Sequence, residues 1–276
     1  MRLLTLILQA ALLSQTGIGQ YYYNDIISAK QFKTIYLSLK ANNIKQVTAI
    51  SFDADNSPTP DFIFDRQILN NTSVIKTITQ YSAEGKSFTA SYYNNDQLTK
   101  TIDSSDNVST TVVYRYDNTG KIYLITTTTE DAVIKNHTEE IHEWHYNDDS
   151  SPAYMLRIKD KTDTVLVSFT KDERGNIAEE RWQKKGTALE HYYYYYNNTN
   201  LLTDVVRYNS KAARLLPDLL FDYNKTGAIT EMTQITEGSS NYITWQYVYD
   251  ERGLKKEDVL FNKQKEMIGR IEYSYK

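Results

Sequence analysis

The histidines are the first residues to consider for chemistry, because imidazole is the usual acid–base group and metal ligand near neutral pH. The chain has four among its 276 residues, and two of them, His142 and His145, lie among Glu139, Glu140 and Glu143. Side chains three positions apart on a β-strand face opposite sides of the sheet, so these two histidines cannot share one ion without a bulge. We therefore predict a surface strand here, with no metal site and no other cofactor.

Acidic residues at predicted turns are a second group that could do chemistry. The pairs Asp53-Asp55, Asp148-Asp149 and Asp172-Glu173 could hold calcium weakly through carboxylate and backbone oxygens. Turn capping alone explains them, and no EF-hand-like spacing occurs. The sequence also lacks a Gly-rich phosphate loop, a nucleophile elbow and a helical metalloprotease motif. We assign no catalytic residue, although a hydrolase whose two carboxylates lie far apart in sequence stays open.

Aromatic residues provide the best candidate surface for a ligand. Rings on a rigid sheet can stack on sugars or anchor a partner protein, because they offer a large contact area at little entropic cost. The alternative is that these rings pack the interior of the sheet and form cross-strand pairs. The candidate ligand-binding residues are Tyr192, Tyr194, Tyr196, Trp144, Trp182 and Trp245.

The composition excludes several classes of protein. The chain has 31 Lys and Arg against 35 Asp and Glu, and its net charge is -4 with both signs mixed along the sequence. Nucleic-acid binding needs a basic face that displaces phosphate counterions, so no nucleic-acid partner is expected. Cysteine is lacking, which excludes disulfides and thiolate chemistry. The 24 tyrosines suit the pleated, half-buried surface of a β-sheet.

The first residues have the pattern of an export signal. An apolar run from Leu3 to Leu13 follows Met1-Arg2, and Gly17 and Gly19 place small residues where a signal peptidase cleaves. The run is shorter than the roughly 20 residues of a membrane-spanning helix. We predict cleavage after Gly19, so that residues 1–19 are a signal peptide. The mature chain is then periplasmic, at the cell surface or extracellular; a short N-terminal membrane anchor is the alternative.

The secondary-structure elements that position the candidate functional residues repeat about every 25 residues. An aromatic residue followed by Asp or Asn recurs, and successive Asp or Asn anchors lie 23 to 30 residues apart. Asp172 fits the series, although Lys171 precedes it. The anchors are Asn94, Asp117, Asn147, Asp172, Asn197, Asn224 and Asp250.

Each copy predicts a β-hairpin. Asp or Asn at the first position of a turn, with Gly or Asn at the fourth, is the pattern of a type I turn closed by a left-handed residue. The fourth positions hold Gly120, Gly175, Asn200, Gly227 and Gly253. Aromatic residues two positions apart, such as Tyr114 and Tyr116, put both rings on one face of the strand before the turn.

A second polar break within each copy gives two strands and two reversals per repeat. We predict an all-β fold, a long antiparallel meander of about 16–18 strands, each of about 9–10 residues or roughly 30 Å. An open sheet of this size must coil or split into layers, because strand twist accumulates. Residues 44–276 form this repeat domain. Residues 20–43 form a leader with a short helix over 25–41, which we expect to cover the first sheet edge.

The repeats resemble a known family. Tyr114-Arg115-Tyr116-Asp117-Asn118-Thr119-Gly120 and Tyr247-Val248-Tyr249-Asp250-Glu251-Arg252-Gly253 are similar to the tyrosine-aspartate (YD) repeat of the RHS family, over about residues 44–276. The resemblance implies a continuous strand meander that coils into a spiral, which in the largest members is a hollow shell around a toxin. This chain is more similar to short, secreted bacterial proteins with degenerate YD-like repeats, for which the resemblance implies no defined activity.

These features lead to one main functional hypothesis and two alternatives. The main hypothesis is a secreted, non-enzymatic repeat scaffold that binds a protein or glycan at the cell surface, without stable membrane insertion. The first alternative is a glycan-active hydrolase with dispersed carboxylates. The second is an outer-membrane β-barrel, which export and alternating strands favour. Against it stand short turns and charges in both registers of Glu179-Glu180-Arg181 and Lys255-Lys256-Glu257-Asp258.

Overall fold

The described residues form one closed antiparallel β-barrel with one helix before it. The computed structural model describes residues 21–69, 71–81, 85–209, 213–235 and 241–276. Helix α1 spans Asn24–Ala41. The first nine strands are β1 Gln46–Asp53, β2 Ile63–Leu69, β3 Val74–Gln80, β4 Lys86–Asn94, β5 Gln97–Ser105, β6 Val108–Tyr116, β7 Ile122–Asp131, β8 Asn136–Tyr146 and β9 Pro152–Lys159. The other nine are β10 Asp163–Lys171, β11 Ile177–Lys184, β12 Thr187–Tyr196, β13 Leu202–Asn209, β14 Arg214–Tyr223, β15 Ile229–Ile235, β16 Tyr242–Tyr249, β17 Lys255–Phe261 and β18 Met267–Tyr275.

The predicted fold class is confirmed, and the sheet closes. Eighteen strands follow one another as antiparallel neighbours, within the expected number, and α1 lies where a helix was predicted. β1 pairs with both β2 and β18; its seam with β18 runs from Val47 opposite Tyr275 to Asp53 opposite Gly269. Closure satisfies the backbone groups that an open or layered sheet would leave at its edges. The helix therefore has no sheet edge to cover, which corrects that expectation.

Closure also corrects the expectation that the chain makes no stable membrane insertion. A sheet can enter a bilayer only if it has no unpaired edge, and a closed barrel meets that condition. The charges that argued against insertion are divided between the two sides of the wall. Glu180 and Asp258 are buried inside the barrel, whereas Glu179 and Arg181 form an ion pair on its outer side.

No helix among the described residues combines the length and hydropathy needed to cross a bilayer.

The turns at one end of the barrel have the geometry that the repeat predicted. The Asp117 carboxylate accepts hydrogen bonds from the backbone N–H of Thr119 at 2.8 Å and of Lys121 at 2.9 Å. Gly120 closes the turn with a φ of 85°, a left-handed conformation that costs little without a Cβ. The Asn197 side-chain oxygen caps the equivalent turn by accepting hydrogen bonds from the backbone N–H groups of Thr199 and Leu201. We call this end of the barrel the repeat-turn end.

A tyrosine at the end of six of the described strands joins neighbouring hairpins. Its ring lies inside the barrel, and its hydroxyl donates to a backbone carbonyl near the start of a strand in the preceding hairpin. Six such bonds of 2.6–2.8 Å occur among the described residues. The pairs are Tyr116 with Leu98, Tyr146 with Ile122, Tyr196 with Ile177, Tyr223 with Leu202, Tyr249 with Ile229, and Tyr275 with Lys255. Lys171, which replaces this tyrosine in one copy, instead pairs with Asp149 of the preceding turn.

Candidate functional site

The candidate site is the repeat-turn end of the barrel, where the N-terminal segment enters the lumen. We call residues 21–43 the plug. Tyr21 and Tyr22 are buried against the inner wall. Ring centroids lie 5.7 Å apart between Tyr21 and Tyr194, and 4.5 Å apart between Tyr22 and Trp182. Burial raises the pKa values of the Tyr21 and Tyr22 phenols above their ordinary value, so both hydroxyls stay protonated.

Glu180 on β11 is the main polar contact of the plug. Its side chain is fully buried, and its two carboxylate oxygens accept four hydrogen bonds. Two come from the backbone N–H groups of Tyr22 at 2.7 Å and Tyr23 at 2.9 Å. The other two come from Trp182 Nε1 and the Tyr194 hydroxyl, both at 2.6 Å. A buried carboxylate is tolerated only when donors satisfy it in this way.

A second polar contact forms at the start of α1. Asp25 Oδ2 lies 2.7 Å from His142 Nδ1 and accepts a hydrogen bond from Trp144 Nε1 at 3.1 Å. The other ring nitrogen of His142 lies 2.9 Å from Glu140 Oε1, and Arg157 pairs with the second Glu140 oxygen at 2.8 Å. Two carboxylates thus flank one imidazole, with an arginine beyond, and tie the plug to β8 and β9.

The third contact lies near the end of α1. The rings of Tyr36 and Tyr93 stack with their centroids 4.0 Å apart. Asp96, in the turn between β4 and β5, accepts hydrogen bonds from the Tyr36 hydroxyl at 2.8 Å and Lys40 Nζ at 2.6 Å. The hydrogen bond from Lys40, followed by the one from Tyr36, lowers the pKa of the Asp96 carboxyl. The Lys40–Asp96 ion pair is exposed, so solvent screens it.

The six aromatic residues named from the sequence all face the lumen. Tyr192, Tyr194, Trp144 and Trp245 are buried, and Tyr196 and Trp182 are half-buried against the same core. Five belong to the core cluster that includes the plug, whereas Trp245 packs in a separate cluster with Leu260 and Ile271. Ligand binding by these six residues stays a prediction, and it requires a ligand that enters the lumen.

The residues that sequence reasoning missed are Glu180 and Asp25, which hold the plug. A signal for Glu180 was present, because alternation puts it on the same strand face as Trp182. No local signal linked Tyr22 to that face. The prediction that His142 and His145 face opposite sides of one strand is confirmed. His145 stacks on Tyr154 outside the barrel, whereas His142 is buried inside rather than on the surface.

The outer wall has its own polar and aromatic groups. Glu179 pairs with Arg181 and lies 3.1 Å from His191 Nε2. Tyr195 and Tyr208, on neighbouring strands, are 47% and 44% exposed. Among the described residues, no group of three or more His, Asp or Glu side chains is arranged to hold a metal ion.

Comparison with known proteins finds likeness only among solved structures. No protein-family model matches the chain, and no curated protein matches it. A porin-like protein from Bacteroides uniformis is similar over 84% of this chain and 96% of its own, with 11% identity and a TM-score of 0.40. A porin-like protein from Bacteroides vulgatus covers 84% and 98%, with 10% identity and a TM-score of 0.32. The TcdB2–TccC3 structure covers 74% of this chain and 12% of its own, with 10% identity and a TM-score of 0.35. Likeness at this level carries no functional argument.

Proposed function

We propose that this chain is an exported β-barrel of the outer-membrane type, whose lumen is plugged by its own N-terminal segment. The observation that supports it most is closure of all 18 strands into one antiparallel ring. Bacterial outer-membrane barrels have an even number of antiparallel strands and no edge. The strands contain 7 to 11 residues, which overlaps the about 9–11 residues of a tilted strand that spans a bilayer.

The outer wall is compatible with this role through the pairing of its charges. Apolar side chains such as Ile50, Leu166 and Val248 are exposed on it. Charged side chains lie between them and form ion pairs, as Arg270 does across strands with Glu257 at 3.3 Å and along its own strand with Glu272 at 2.8 Å. Pairing lowers the cost of moving such groups away from water. We infer that the more apolar sectors of the wall make the contact with lipid.

The test is cell fractionation followed by electrophoresis with and without heating. We expect the mature protein to stay with washed outer membranes through a carbonate wash, and an unheated sample to migrate as a compact form that heating unfolds. A periplasmic binding protein and a known outer-membrane protein from the same cells are the two controls. Recovery of the folded protein in the soluble periplasmic fraction would contradict the proposal.

A surface binding role is the second candidate, supported by the exposed Tyr195 and Tyr208 beside the polar side chains Glu179, Arg181 and His191. Exposed rings next to hydrogen-bonding groups suit a glycan or a protein partner. A glycan array probed with the purified chain and with a Tyr195→Ala/Tyr208→Ala variant tests it. Equal binding by both proteins would exclude this surface.

Membership of the YD-repeat family is also a proposal. It is supported by the repeated turn geometry and by the tyrosine hydroxyl bonds that join neighbouring hairpins.

A further inference from the structure

The plug is attached to the barrel differently from every strand. Each strand is held on both sides by a ladder of backbone hydrogen bonds. Within the described part of the chain, the backbone-to-backbone hydrogen bonds of the plug stay inside it or join it to the next residue, Ile44, whose N–H donates to the Leu39 carbonyl, and none joins it to a strand. It reaches the wall through side-chain contacts, chiefly those of Glu180, His142 and Asp96. The wall is therefore complete without it.

From this difference we infer that the plug is a detachable gate for the lumen, and that Glu180 is the residue that holds it shut. The inference about the lumen as a channel rests on the proposed membrane role, whereas release of the plug does not. Helix α1 ends at Ala41, and Asn43 has a left-handed φ of 54° just before the first strand. Such a residue at the end of an element is where a hinge can absorb backbone rotation.

The chemistry of Glu180 suits a contact that must also be broken. Burying a carboxylate is costly, and a buried polar network is often less stable than an apolar contact of similar volume. When the plug leaves, Glu180 loses the N–H donors of Tyr22 and Tyr23 but regains water from the lumen. The two states are thus closer in free energy than they would be for a purely apolar plug.

Release would uncover the lumen at the repeat-turn end. Barrels of 16–18 strands leave an aqueous channel unless something fills them. Here Tyr21, Tyr22 and the buried face of α1, including Ala29 and Leu39, fill that end. Loss of the plug would therefore allow small hydrophilic solutes to pass.

The absence of cysteine from the chain allows a direct test of release. Ala29, on the buried face of α1, is 7% exposed, and Ala90, in the wall strand β4, is 1% exposed. Ala29→Cys reports movement of the plug, and Ala90→Cys reports unfolding of the wall. Each is combined with Glu180→Gln, which replaces one accepting carboxylate oxygen with an amide nitrogen that donates. The matched control is Glu179→Gln, which changes the adjacent residue on the outer wall.

The measurement is the rate of maleimide labelling of the full mature chain. We expect Glu180→Gln to raise the labelling rate at position 29 at least tenfold and to leave position 90 unchanged, and Glu179→Gln to change neither. Unchanged labelling at position 29 would overturn the proposal. Equal increases at positions 29 and 90 would also overturn it, because the whole barrel would then be opening.

Conductance in planar lipid bilayers separates this inference from the membrane proposal. We expect barrels of the Glu180→Gln variant to spend a larger fraction of time in a conducting state than barrels of the unchanged chain. Faster labelling at position 29 without any insertion into bilayers would support a detachable plug and contradict the outer-membrane role. If both the Glu180→Gln variant and the unchanged chain insert into bilayers and neither conducts, the gate is contradicted and the membrane proposal is not.

Discussion

At the scale of single residues, the tyrosine of the repeat has two functions that a phenylalanine could not combine. Its ring packs inside the barrel, and its hydroxyl satisfies a carbonyl of the preceding hairpin, as Tyr223 does with Leu202 at 2.6 Å. A net hydrogen bond of this kind is worth about 1 kcal/mol. Repeated around the barrel, these bonds join neighbouring hairpins in addition to the strand ladders between them.

Tyr223→Phe tests the value of one such bond. We expect the free energy of unfolding to fall by about 1 kcal/mol, because the Leu202 carbonyl loses its donor while the ring keeps its packing. Urea unfolding followed by circular dichroism measures it. Tyr195→Phe, on the exposed outer wall, is the control and should change stability by less than about 0.5 kcal/mol. Equal losses in the two variants would show that the hydroxyl bond contributes nothing specific.

The pH dependence of one turn follows from Asp117. The Thr119 hydroxyl, with the backbone N–H groups of Lys121 and Thr119, lowers the pKa of this carboxyl below its ordinary 3.8. A depressed folded pKa adds stability above the unfolded pKa, and that stability is lost as the pH falls through the folded value. Asn197 accepts the same bonds without titrating.

Asp117→Asn should therefore reduce the acid sensitivity of the barrel. We expect the melting temperature near pH 7 to stay close to that of the unchanged chain, and its decline toward about pH 3 to become smaller. The reciprocal change, Asn224→Asp, should make the decline larger. Identical melting curves across this pH range for all three proteins would contradict the prediction.

At the scale of elements, the hairpin turns show why the fourth position of the turn matters. Gly175 has a φ of 86°, and a Cβ added there would meet nothing within 4 Å. The demand for glycine is therefore purely conformational. Asn200 occupies the equivalent position with a φ of 60°, as expected for the non-glycine residue that best tolerates this region.

Gly175→Ala should cost about 1 kcal/mol of unfolding free energy, because alanine is strained at positive φ. Gly175→Asn should cost less, as the natural Asn200 turn indicates. Asn200→Gly is the control and should leave stability nearly unchanged. Thermal unfolding of the three variants measures the order, and an alanine variant as stable as the asparagine variant would refute this account of the turn.

At the scale of the whole molecule, the pairing of β1 with β18 closes the sheet into a barrel. Seven residue pairs join the first strand to the last, and Lys45 and Gln46 both donate backbone hydrogen bonds to the Lys276 carbonyl. Without this seam the same hairpins would form a sheet with two long free edges. With it, the lumen, the plugged end and the outer wall exist as separate environments.

Removal of residues 267–276 tests the seam. We expect the shortened chain to self-associate, because β1 and β17 become unpaired edges that can accept strands from other molecules. Size-exclusion chromatography with light scattering measures the outcome, and full-length Tyr275→Phe, which keeps the seam, is the control. A folded monomer after truncation would contradict the view that closure protects the chain from association.

The sequence by itself determined the local elements. The spacing of Tyr, Asp and Gly predicted the turns and the number of strands, and the helical spacing of Phe32, Ile35, Tyr36 and Leu39 predicted the helix before them. Each of these patterns depends on residues within about one repeat of one another. Tertiary structure alone decided which strand face is the interior, the closure of the sheet and the docking of the plug. The alternation of side chains along a strand shows that Glu180 and Trp182 lie on the same face. It does not show whether that face points to the lumen or outward. The two donors of Glu180 in the plug lie 158 and 157 residues away at Tyr22 and Tyr23, and contacts over such separations leave no periodic trace in the sequence.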